Sequence, residues 1–88
     1  RLPSWLKEAY ADYIARGSAF QRAEARAAYR SDAPEVRTPA QAPYLRYNLL
    51  FGQLVEREGR SPESVFASRI SQADAEARLR AYLAATPD

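Results

Sequence analysis

The stretch Pro43 to Glu58, PYLRYNLLFGQLVERE, constrains this chain more than any other segment. Tyr44, Tyr47, Phe51, Leu54 and Val55 recur at helical spacing, and Leu45, Leu49 and Leu50 widen the stripe. Arg46, Gln53, Glu56 and Arg57 leave only a narrow polar strip. A helix that is apolar over most of its circumference has to be surrounded by other elements. This second helix is therefore expected at the centre of an all-α fold, with Leu49, Leu50, Phe51 and Leu54 in the core.

Three further helices can cover it. The first is expected from Ser4 to Arg30, with Ser4 as cap after Pro3. Leu6, Ala9, Tyr10, Tyr13, Gly17, Phe20, Ala27 and Ala28 share its inner face, with Trp5 at the shoulder. Glu24 falls within that stripe, where an unpaired carboxylate is costly. A bend or break at Gly17-Ser18 shifts the phase and turns Glu24 outward. The alternatives are that Glu24 is buried against an Arg or faces a partner.

Residues 31–43, SDAPEVRTPAQAP, carry three prolines and read as a crossover linker. Thr38-Pro39-Ala40-Gln41 has the form of a capping box, followed by a kink at Pro43. After the second helix, Gly59 predicts a left-handed end. Ser61-Pro62 then starts a short third helix to Ile70, with Val65, Phe66 and Ile70 inward. Ser71 with Asp74 caps an amphipathic fourth helix from Gln72 to Ala85, whose inner face is Ala75, Leu79, Tyr82 and Leu83. Asp74–Arg78 and Glu76–Arg80 have the spacing of surface ion pairs. The expectation is thus a small bundle of four helices forming a single domain over residues 1–88. With 18 of its residues Ala, such a chain buries a modest core. Arg1 in place of Met predicts a processed chain or a fragment of a longer one.

Composition narrows the chemistry. There is no His, Cys or Met, and one Lys stands against 12 Arg. The usual neutral-pH base, the thiol nucleophile and the soft metal ligands are all missing. No phosphate-cradling glycine motif or metal-ligand spacing occurs. The chain is therefore expected not to be an enzyme and to need no cofactor or metal. The Arg and Ala bias fits a GC-rich bacterial coding sequence. No apolar run reaches the length of a membrane span, so a soluble, cytoplasmic protein is expected.

Two function classes remain. The first is an interaction module or accessory domain that binds another protein. Its expected contact surface is Trp5, Arg16, Arg22, Arg26, Tyr29 and Arg30, with Trp5 and Tyr29 the aromatic residues expected at the surface. The second is a nucleic-acid-binding domain. The second helix, Gly59 and the third helix resemble a degenerate helix-turn-helix, and Arg57, Arg60 and Arg69 join the Arg stripe of the first helix as phosphate contacts. Four features weaken it. Arg60 follows Gly59 where an apolar residue is usual, Ser68 stands where a core side chain is usual, Glu63, Ser64 and Arg69 read base edges poorly, and the net charge is only +2. The Arg stripe also has a plain structural role open to it, since bases near a helix end complement the helix dipole.

Overall fold

The central helix forms as its pattern requires, and the other elements wrap it. The computed structural model describes residues 2–37 and 44–87. Among them are six α-helices and no strand: α1 (Ser4–Arg16), α2 (Ala23–Arg30), α3 (Pro34–Arg37), α4 (Tyr44–Gly52), α5 (Pro62–Ser68) and α6 (Gln72–Ala85). A π-helical turn, Gln53–Arg57, continues α4. Leu49, Leu50, Phe51 and Leu54 are completely buried. Tyr10, Tyr13 and Phe66 ring Phe51 with centroids 5.9, 5.2 and 6.3 Å away. Such tilted aromatic contacts add to the burial of apolar area. No helix among the described residues is long and apolar enough to cross a membrane.

The expected long first helix is two helices. Gly17 has φ 78° and ψ −179°, a region essentially reserved for glycine. The chain leaves α1 there and crosses residues 17–22 before α2 begins. Ala19 and Phe20 turn inward in this loop. The phase changes as a break predicts. Ala25 and Tyr29 become the buried residues of α2, Ala27 is exposed, and Glu24 faces solvent with Arg22 Nη1 3.1 Å away. Ser4 is not a cap. It lies inside α1 after Pro3, with no side-chain cap bond.

The region expected as an unstructured linker contains α3, which docks Val36 into the core. The capping box at Thr38-Pro39 and the kink at Pro43 lie outside the described residues. The later caps match their sequence signals. Ser61 accepts from Ser64 N, and Ser71 from Asp74 N, both at 3.1 Å. Gly59 has φ 72°, as a left-handed helix end requires. Helix α5 stops two residues early, at Ser68, because Arg69 takes a left-handed conformation with φ 52°.

Close approach explains the glycine inside α4. A Cβ on Gly52 would lie 2.7 Å from the Cβ of Phe20, on the loop that follows the break. Gly52→Ala should therefore push that loop off α4 and cost about 1–3 kcal/mol by overpacking. Phe51→Ala, which empties the aromatic cluster, should cost about 3–5 kcal/mol. Urea titration of both variants checks the order. An unchanged midpoint for either one places the core elsewhere.

Candidate functional site

The proposed contact residues do not form one continuous surface. Trp5 and Tyr29, expected to be exposed, are 4% and 9% exposed. Trp5 lies beside Tyr47, and its Nε1 donates to Ile70 O at 3.0 Å, tying α1 to the segment before α6. Apolar burial with a satisfied indole N–H is what a core Trp needs. Arg26 Nη1 donates to Phe20 O at 2.6 Å and so braces the loop after the break. Arg30 Nη2 donates to Leu83 O and Thr86 O, at 3.0 and 2.6 Å. A guanidinium on the last carbonyls of α6 satisfies acceptors that a helix end leaves open. Two members of the stripe thus have structural tasks, and two aromatic members are internal.

Arg16 and Arg22 differ. Both line a polar cleft of about 350 Å³ at the break, together with Ser18, Tyr44 and Asn48. Arg16 is held from two sides. Its Nε binds Asp12 Oδ1 at 3.0 Å, and its guanidinium carbon lies 5.0 Å from the Tyr44 ring centroid. Its side chain is nevertheless 65% exposed, and its two Nη groups have no other partner among the described residues. A guanidinium fixed through Nε with its terminal fork open suits a carboxylate.

Asn48 builds the cleft floor. Its Oδ1 accepts from Ala19 N at 2.8 Å, and its Nδ2 donates to Gly17 O at 2.8 Å and to Asp12 Oδ2 at 3.0 Å. One amide therefore orients both the loop and the carboxylate that holds Arg16. Asn48 was not among the residues expected to matter. Its signal is a lone Asn in an otherwise apolar stretch, YNLLFG.

The residues of the nucleic-acid reading sit elsewhere. Arg60 Nη2 pairs with Glu58 at 3.1 Å, Arg57 lies over the Tyr82 ring at 5.2 Å, and Arg69 is the left-handed residue ending α5.

A second polar cluster overturns one expectation. Glu76 does pair with Arg80, at 4.0 Å, but it is 7% exposed and so not the surface residue expected. It accepts from Arg46 Nε at 2.5 Å, from Gln72 Nε2 at 3.2 Å and from the Tyr29 hydroxyl. Likewise Arg78, expected to pair with Asp74, reaches Glu58 at 3.2 Å. Burial alone would raise the Glu76 pKa, but the hydrogen bonds from Arg46, Tyr29 and Gln72 outweigh it and hold it low. Burial first, then the Glu76 contact, pushes Tyr29 up to about 12.

No family model matches the chain, and no curated protein and no solved structure is similar to it.

The Glu76 cluster sets a pH dependence. A carboxylate whose folded pKa is depressed contributes stability above its unfolded value, near 4.5, and loses it as pH falls through the folded value. Wild type should therefore lose stability below about pH 4.5, and Glu76→Gln should flatten that acid limb. At neutral pH, Arg46→Ala should cost about 1–3 kcal/mol, because a buried acceptor loses its charged donor. Denaturant titrations between pH 3 and 7 read both effects. An unchanged acid limb in Glu76→Gln would assign the pH dependence to other carboxylates.

Proposed function

We propose that this chain is a non-enzymatic helical interaction module that binds another protein through an acidic segment. The observation that carries this reading is Arg16, exposed but already held by Asp12 and Tyr44 at the mouth of a polar cleft. An ordinary exposed arginine loses rotamer freedom when it pairs. Arg16 has lost much of that freedom in the fold itself, so less is lost on binding. Arg22 lines the same cleft and is 55% exposed.

Arg16 and Arg22 are the contact residues of this proposal. Trp5, Tyr29, Arg26 and Arg30 support it indirectly, by fixing the helices and the loop that carry the cleft. The nucleic-acid alternative needs several unpaired guanidinium groups acting together. Pairing of Arg60 with Glu58 works against it.

A labelled hexaglutamate peptide and a random-sequence DNA duplex, each titrated against the 88-residue chain, test the proposal. The peptide should bind weakly. Arg16→Ala combined with Arg22→Ala should weaken it about five- to tenfold, the sum of two exposed charge pairs. Tight duplex binding with a steep salt dependence, made shallower by Arg57→Ala and Arg60→Ala, would transfer the function to nucleic acid.

A further inference from the structure

A second cleft lies on another part of the molecule, between the π turn and the end of α6. It holds about 420 Å³ and is lined by Gln53, Arg57, Glu58, Arg78 and Tyr82, among others. Gln53 is 4% exposed. Its Nε2 donates to Glu58 Oε2 at 3.3 Å, whereas Oε1 has no partner; among the described residues it is the one buried side-chain polar atom so placed. An orphaned buried acceptor costs free energy and asks for a reason, such as a ligand or a trapped water. The π turn that ends α4 carries Gln53 at its start and Arg57 at its end.

Charge complements the acceptor. Arg57 follows Gln53 by four residues, so the two occupy one side of the turn. The Arg57 guanidinium is stacked over Tyr82 at 5.2 Å and has no ion-pair partner among the described residues. Arg78 shares Glu58 with Arg60. The cleft thus offers one open cation and a second partly engaged cation, and the unmet acceptor lies buried in its wall, within reach once the Gln53 amide turns toward the cleft.

We infer that this cleft binds an α-amido carboxylate, the chemistry shared by a peptide's free C-terminus and an N-acyl amino acid. The carboxylate pairs with Arg57 beside Arg78, and the adjacent N–H donates to Gln53 Oε1. A bare anion would leave that acceptor unmet. The volume suits one or two residues, at the small end of ligand sites. The site is distinct from the Arg16 cleft and does not depend on it.

Titration of the 88-residue chain with N-acetylglycine and with acetate, followed by NMR, tests the inference. N-acetylglycine should shift the Gln53 side-chain amide signals saturably and bind about five- to tenfold tighter than acetate, the share of one hydrogen bond. Gln53→Met should abolish that preference. Arg57→Ala should weaken N-acetylglycine, with partial recovery in Arg57→Lys, and circular dichroism verifies that each variant is folded. Acetylated hexaglycine binding at least as tightly as N-acetylglycine assigns the site to a peptide C-terminus. Much weaker binding assigns it to a free N-acyl amino acid. Equal affinity for acetate and N-acetylglycine, or unmoved Gln53 signals, would overturn the inference and leave the acceptor to a trapped water.

Discussion

One side-chain amide, that of Asn48, holds the first part of this fold to its centre. A broken helix exposes backbone groups that must find partners, and the end of α1 is broken within reach of the core. Asn48 meets this need from the middle of α4. It binds Gly17 O and Ala19 N, which flank the break, and Asp12, one turn before it. The loop is thereby closed over Gly52, and Phe20 can sit against a helix with no Cβ in the way. Both halves of the expected first helix are placed by this arrangement. The exposed Arg16 depends on it as well, because the carboxylate that holds Arg16 is oriented by the same amide.

The polar clusters share a pattern. Asn48, Glu76 and Glu56 are each reached from elements distant in sequence. Tyr13 donates to Glu56 at 2.5 Å, and burial followed by that contact pushes Tyr13 up to about 12. Tyr29 stands toward Glu76 as Tyr13 stands toward Glu56, a phenol closing on a carboxylate across two helices. Hydroxyls that looked free for a surface role are consumed inside the fold. This moves recognition to the arginines, which carry charge at the surface while their stems rest on aromatic rings such as Tyr44 and Tyr82.

Legibility in the sequence followed the range of the interaction. Helix α6 begins and ends where its cap and its Thr86-Pro87 stop indicate, and the start of α5 was visible at Ser61-Pro62, because both signals act within a few residues. The buried residues of α4 were visible because an apolar circumference has only one solution. The Glu76–Arg80 pair was visible from its four-residue spacing, but the burial of Glu76 was not, because Arg46 lies thirty residues away and becomes its closer partner only through packing. Trp5 was misplaced for a related reason. A shoulder position goes to solvent or to the core according to what docks beside it, here Tyr47 and the Ile70 carbonyl. Of the site, Arg16 and Arg22 were visible as charges. Neither the cleft nor the orphaned Gln53 acceptor has any signature in composition or spacing.

The π turn also sets the molecule's indexing. Such a turn holds one residue more than an α turn. One residue of α-helix rotates everything beyond it by about 100°. That extra residue sets the direction in which the chain leaves α4 at Glu58, and α5 and α6 follow from there across a short loop. Deleting one position between Gln53 and Arg57 would preserve almost all the composition, and residues 58–61 would then have to absorb a rotation of about 100° for α5 and α6 to keep their partners. The length of this one turn therefore bears on how α6 meets α4.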